Sequence, residues 1–275
     1  MSGWRLSGFG DEIDPEPCVQ LAVLAAVGAR LIDVRSAWDV NIVELDADRL
    51  AELAGLVRDA GMAVSAVSSP VGKVDIDTPV EDEVERLERA VAAAHALGAP
   101  FVRVFSFQYG HRDPESVRDE VLRRLAALVE VARRGDVVLL LENESGLYGD
   151  QPERVLDVVE SVGSERLRVA WDGGNFVRVG RRPFDEAFPL LVAHIAYLHV
   201  KDALADGASV PAGAGDAQLP ETIAALTTSG FDGVAALEPH LAVAGRLGGF
   251  TGPAGFGVAA RAFTALIDRV EGHLA

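Results

Sequence analysis

Short runs of apolar and β-branched residues alternate along the chain with longer stretches whose apolar positions recur every three or four residues. The first pattern reads as strand and the second as amphipathic helix. It predicts strands at Leu6–Phe9, Leu31–Val34, Met62–Val67, Phe101–Phe105, Val137–Leu141, Leu167–Trp171, Ile195–Val200 and Val234–Leu237. Helices are expected over Pro17–Val27, Asp48–Ala60, Val80–Leu97, Pro114–Arg133, Pro152–Val162, Phe184–Val192, Pro220–Ser229 and Ala254–Val270. Gly28, Gly61 and Gly98 stand where helices should end. Pro114 opens its helix at a position where the missing N–H costs nothing.

The strands are apolar on both faces, as parallel strands covered by helices must be. Strand and helix alternate eight times with no break in composition over 275 residues, which argues for a single (β/α)8 barrel, one α/β domain spanning 1–275. An open doubly wound sheet would carry a glycine-rich phosphate turn after its first strand. Here that turn reads Gly8-Phe9-Gly10-Asp11-Glu12, and its carboxylates would repel a pyrophosphate.

A barrel of this kind builds its active site at the carboxyl ends of its strands. Those ends carry Asp11 and Glu12, then Arg35, Ser36 and Trp38, then Ser68, Ser69, Pro70 and Lys73. Arg103 lies in the fourth strand, with Ser106 and Gln108 after it; the fifth gives Glu142, Asn143 and Glu144. The sixth gives Asp172 and Asn175, the seventh His199, Lys201 and Asp202, and the eighth Glu238 and His240. Strands five to eight therefore each end in a group able to bind a divalent cation: Glu142, Asp172, His199 and Glu238. Three carboxylates and one imidazole form an oxygen-rich set that suits Mn2+ or Mg2+, with Co2+ or Zn2+ as further candidates. Singly, each has a plainer reading. Asp172 can be a helix N-cap, His199 a hydrogen-bonded histidine, and either glutamate a partner of Arg35 or Arg103. Four plain readings on four successive strands are a poorer account than one site.

Several segments resemble a known family: Leu-Glu-Asn-Glu-Ser-Gly-Leu-Tyr-Gly-Asp (141–150), Trp-Asp-Gly-Gly-Asn-Phe (171–176), Leu-His-Val-Lys-Asp (198–202) and Leu-Glu-Pro-His-Leu (237–241). They look like the sugar phosphate isomerase/epimerase family, the xylose isomerase-like TIM barrels. Phe-Gly-Asp-Glu-Ile (9–13) and Ser-Ser-Pro-Val-Gly-Lys (68–73) resemble one subgroup of it. The resemblance implies that Glu142, Asp172, His199 and Glu238 bind one divalent metal, as in the ketose 3-epimerases. It also implies that Glu142 and Glu238 form the acid/base pair. The expected substrate is a small polyhydroxy-carbonyl compound, a sugar or sugar phosphate, whose proton next to the carbonyl is moved through an enediolate. Lys201 adds positive charge beside the developing oxyanion, and Asp202 holds Lys201 or a neighbouring group. His240, Lys73, Arg35, Arg103 and Glu144 complete the candidate substrate contacts. Two positions depart from the epimerases. Asn175, itself a candidate substrate contact, stands where they carry His, and Ala203–Ala205 lacks their Arg. A dehydratase of a keto-polyol or cyclic keto acid, of the inosose or dehydroshikimate type, uses the same first half-reaction. A non-catalytic sugar-binding barrel is a further alternative, against which the complete ligand set argues.

The formal net charge is −17, from 25 basic and 42 acidic residues, so nucleic acid and anionic membranes are poor partners. The apurinic-site endonucleases of the same superfamily need several metal-binding histidines and a basic surface. This chain has six His, and His95 and His273 lie away from strand ends. Cys18 has no disulfide partner and is expected in the core. No signal-peptide pattern precedes Trp4 and no apolar run approaches a membrane span, so a cytoplasmic location is expected. The segments Ala203–Ala217 and Ala242–Gly257 are rich in small residues. The first is expected to be flexible; the second is a candidate lid or subunit contact, which leaves a homo-oligomer open.

Overall fold

The eight strands are β1 (Arg5–Gly8), β2 (Leu31–Val34), β3 (Ala63–Val67), β4 (Phe101–Val104), β5 (Val138–Glu142), β6 (Leu167–Asp172), β7 (Ile195–Val200) and β8 (Val234–Leu237). They form one parallel sheet in a computed structural model that describes residues 4–245 and 248–274. The order is β1-β8-β7-β6-β5-β4-β3-β2, and a parallel bridge between Phe9 and Asp33 joins β1 to β2 and closes the barrel. The helices are α1 (Pro17–Ala26), α2 (Ala47–Asp59), α3 (Val80–Leu97), α4 (Pro114–Arg134), α5 (Pro152–Val162), α6 (Gly173–Arg178), α7 (Phe188–Leu191), α8 (Leu219–Thr228) and α9 (Gly252–Leu274).

Side chains alternate across a strand, and the buried residues follow that period. Leu139, Leu141, Val169, Trp171, Leu198, Ala235 and Leu237 belong to the main core, between sheet and helices. Leu140, Ala170, Tyr197 and Ala236, each one residue out of phase, pack with Phe9, Ala66 and Val234 in a separate cluster within the barrel. Two residues beyond Leu140, Ala170, Tyr197 and Ala236 come Glu142, Asp172, His199 and Glu238. The inward row of each strand thus delivers one of the four groups to the barrel mouth.

The structure corrects three expectations. Cys18 is exposed rather than in the core. The helix expected over Phe184–Val192 is broken into a π turn at Pro183–Ala187, the short α7, and a 3-10 turn at Val192–His194. Pro189 explains the break, since it offers no N–H and crowds the carbonyl four residues earlier. The segment 203–217 is not loose: Asp202–Ala203 pairs with Ser209–Val210 in a small hairpin. Ala242–Gly245 pairs with Gly248–Phe250 in another. Among the described residues, no helix is long and apolar enough to cross a membrane.

Candidate functional site

Glu142, Asp172, His199 and Glu238 converge at the mouth of the barrel, each offering a ligand atom within 4.8 Å of the others, and all are buried. Asp172 sits opposite His199 in the β6–β7 register. His199 Nδ1 lies 3.5 Å from Glu142 Oε2 and 3.5 Å from Glu238 Oε2. His199 Nδ1 is buried without a hydrogen-bond partner, while Glu238 Oε2 faces the Lys201 ammonium at 3.0 Å. Two ligands bound at about 2.1 Å to one cation stand roughly 3 to 3.5 Å apart. The donor set, the spacing and the unpartnered His199 Nδ1 fit a single divalent metal.

Each glutamate is held by its own guanidinium. Arg103 donates from Nη1 to Glu142 Oε2 (3.0 Å), and its other nitrogens are taken by the carbonyls of Ser68 and Ser69. Arg35 donates from Nη1 to Glu238 Oε1 (3.1 Å), from Nε to Asp11 (2.8 Å) and from Nη2 to the Gly249 carbonyl (3.0 Å). Both guanidiniums lie over the Phe9 ring, which meets His199 edge-on at 5.2 Å. Burial pushes the Glu142 carboxyl up, yet Arg103 and His199 bring it down to about 2. Burial likewise opposes ionisation of Glu238, yet Lys201, His240 and His199 hold it well below the usual range.

Asp172 has two roles. Its Oδ1 accepts from the Asn175 N–H and so caps α6, while Oδ2 accepts from Lys201 Nζ at 2.7 Å. Asn175, expected to touch substrate, donates from its side chain to Glu142 Oε1 (3.2 Å) and to the Asn143 carbonyl (2.9 Å). It steers Glu142. Lys201 Nζ also lies 3.0 Å from Glu238 Oε2 and 4.0 Å from Glu142 Oε1. Burial works against this ammonium, but Asp172, Glu238 and Glu142 raise its pKa and keep it charged.

A second cluster adjoins the first. His240 Nε2 is 3.0 Å from Glu12 Oε1 and 3.3 Å from Glu238 Oε1. A second metal there would face Arg35 and Arg103, which stand 3.1 and 3.9 Å from the same Glu238 oxygen. A protonated His240 between two carboxylates accounts for the arrangement better. Burial and Lys201 lower its pKa, and Glu12 and Glu238 more than offset them. His240 takes a left-handed backbone (φ 51°), costly for a residue with a Cβ, and its N–H donates to Glu12 Oε2. Thr251 donates to the same oxygen at 2.5 Å, so Glu12 ties the strand-eight hairpin to the barrel. Sequence reasoning placed Glu12 at a strand end but did not find this partnership or Thr251.

Asp202 lies apart from the cavity. Its carboxylate accepts the N–H groups of Ala203, Gly213, Gly215 and Ala217 at 2.8 to 3.0 Å and organises the loop after β7. Lys73 reaches the mouth, paired with Glu144 at 2.6 Å and over the Phe105 ring. A cavity of about 100 Å³ opens there, bounded by Arg35, Lys73, Arg103, Glu144, Lys201 and His240 among others. One signal for this site lay unused in the sequence. The chain has 25 basic residues but only two lysines, Lys73 and Lys201, and both border the cavity.

The comparisons with solved structures agree with this fold. A xylose isomerase-like TIM barrel protein from Mycobacterium smegmatis, solved in complex with magnesium, is 22% identical with a TM-score of 0.73, over 94% of this chain and 89% of the other. A D-tagatose 3-epimerase-like protein gives a TM-score of 0.77 at 18% identity, over 98% of this chain and 100% of the other. The probable 3-DHS dehydratase AsbF from Bacillus anthracis gives 0.71 at 18% identity, over 89% and 92%. No curated protein matches the sequence. Residues 21–254 match the family described as xylose isomerase-like TIM barrel, and the chain belongs to that family.

Proposed function

We propose that this protein is a divalent-metal-dependent isomerase or epimerase of a small polyhydroxy-carbonyl compound, a sugar or sugar phosphate, with Glu142 and Glu238 as its acid/base pair. One observation carries the reading. The two glutamates approach His199 Nδ1 from β5 and β8 at the same 3.5 Å, each fixed by its own arginine. Glu142, Asp172, His199 and Glu238 would hold the metal, which supplies a Lewis acid for the negative charge that develops on a carbonyl oxygen when the neighbouring proton leaves.

The remaining work falls to side chains. Arg103 and His199 favour the ionised form of Glu142, and Lys201, His240 and His199 that of Glu238, so either can act as the base that takes a proton from carbon. The same glutamate can carry that proton to a neighbouring carbon, while return to the opposite face falls to the other once it has picked up a proton from solvent. Arg35, Arg103 and Lys73 give the cavity a positive wall that suits an anionic substituent such as phosphate or carboxylate. The structural neighbours bearing epimerase names support the isomerase class.

A second reading, a dehydratase of a keto-polyol or cyclic keto acid, is favoured by Lys201 and His240. They place N–H donors 3.0 and 3.3 Å from Glu238, and a departing β-hydroxyl would need such a donor close to the base. Metal analysis and solvent-deuterium exchange into a panel of ketoses, keto acids and inososes test both. About one metal per chain, with deuterium at a carbon next to the carbonyl, is the expected result. An isomer or epimer as product supports the first reading and loss of water the second. Glu238→Gln should keep the fold and abolish exchange, and His199→Ala should lose the metal. Full metal content in His199→Ala would remove the site.

A further inference from the structure

We infer that Lys201 is a resident cation of the ligand cluster, which holds the carboxylates together until the divalent metal displaces it towards substrate. The inference rests on the metal-dependent reading above and extends it to how the site is loaded.

The ammonium is placed among the ligands themselves. It lies 2.7 Å from Asp172 Oδ2 and 3.0 Å from Glu238 Oε2, with Glu142 Oε1 at 4.0 Å. Three buried carboxylates would otherwise repel one another at this range. A metal bound by Asp172 Oδ2 at about 2.1 Å would stand no more than about 5 Å from Nζ. Like charges this close repel, and the metal would take the carboxylate oxygens that Lys201 contacts, which favours movement of the ammonium towards the cavity.

The fold provides for the lysine and for its movement. A Cβ on Gly174 would lie 2.9 Å from Lys201 Cγ and 3.2 Å from its carbonyl oxygen, so the glycine clears the path of the stem. The cavity that Lys201 borders is the space into which a flexible four-carbon stem can swing. The rest of the basic complement is almost wholly arginine, yet this position is one of only two lysines. A planar guanidinium would bridge two carboxylates rigidly, whereas an ammonium is a point charge that can leave. In the metal-loaded protein Lys201 then faces the cavity as a donor to a substrate oxygen, and substrate contact by Lys201 depends on metal.

The test uses Mn2+ and the full chain. Mn2+ affinity is measured for wild type, Lys201→Met and Lys201→Gln, with thermal melts to verify folding. Removing the competing charge should tighten Mn2+ binding by about tenfold or more. In wild type, amine-directed labelling read by peptide mass spectrometry should rise at Lys201 when Mn2+ is added. Lys73, paired with Glu144 outside the cluster, is the internal reference and should not change. Unchanged or weaker Mn2+ binding by a folded variant overturns the inference and leaves the metal site standing. Unchanged Lys201 labelling in Mn2+-saturated wild type overturns it without any variant. If neither wild type nor variants bind Mn2+, the metal-dependent reading falls and takes this inference with it.

Discussion

Glu142 is buried beside two cationic partners, and that placement ties the stability of the metal-free protein to pH. Burial works to raise its pKa, but Arg103 and His199 set it at about 2, below the ordinary 4.5. A carboxyl depressed on folding stabilises the protein above its unfolded pKa and loses that contribution as pH falls through the folded value. The contribution is therefore lost as pH falls from about 4.5 towards about 2. Glu142→Gln should be less stable at neutral pH, because Arg103 loses its charged partner. Its melting temperature should also fall less steeply than wild type between about pH 5 and 3. Melting curves across that range, on protein stripped of metal, decide it, and equal slopes would show that Glu142 does not carry the acid limb. At this scale the sequence was informative about which residues meet and silent about what they do to one another. Strand-end position brings Glu142, Asp172, His199 and Glu238 together. The arginine clamps, the Lys201 cage and the Glu12–His240–Thr251 link join residues far apart in the chain, and no local spacing encodes them.

Among the elements, the loop after β7 was read least well, and its organiser is Asp202. The inward row of β7 runs Tyr197, His199, Lys201. The period of two, carried one residue further, turns Asp202 away from the cavity. There it gathers four backbone N–H groups from Ala203, Gly213, Gly215 and Ala217 and closes the loop into a hairpin. Small residues in such a segment suggest flexibility, but Gly213 sits at φ 82° and Gly215 packs so tightly on Asp202 and Ala203 that a side chain there would collide. The glycines serve a tight turn around a carboxylate. Asp202→Ala should strand these donors and cost roughly 2 to 4 kcal/mol in chemical denaturation. Limited proteolysis should cut the variant between Leu204 and Asp216 while the barrel survives. Resistance equal to wild type would mean that the loop holds without Asp202. Long periodic elements such as α3 and α4 were legible because their burial stripe spans many turns. The region from Pro183 to His194 was not, because its apolar spacing looks helical while Pro189 denies the helix a donor.

Across the whole molecule, eight strand–helix repeats announce a barrel, but they do not say where the ring is weakest. Neighbouring strands β5 to β8 share ladders of four residue pairs each. The seam between β1 and β2 has a single bridge, Phe9 to Asp33. Side chains take the place of the missing ladder. Asp33 Oδ1 accepts from Ser7 on β1 (2.7 Å), Ser65 on β3 (2.5 Å) and Tyr197 on β7 (2.5 Å), all within the barrel. Arg35 and Asp11 add an ion pair across the same gap at the mouth. Asp33→Ala would leave three buried hydroxyls without that acceptor, a loss of roughly 2 to 4 kcal/mol. The loss should not spread evenly, because native proteins open in cooperative units ordered by local stability. Amide hydrogen exchange of the variant should rise first in peptides covering β1 and β2, while β6 and β7 keep their protection. A uniform rise over all eight strands would mean instead that the barrel opens as one unit and that Asp33 stabilises the ring as a whole rather than its seam.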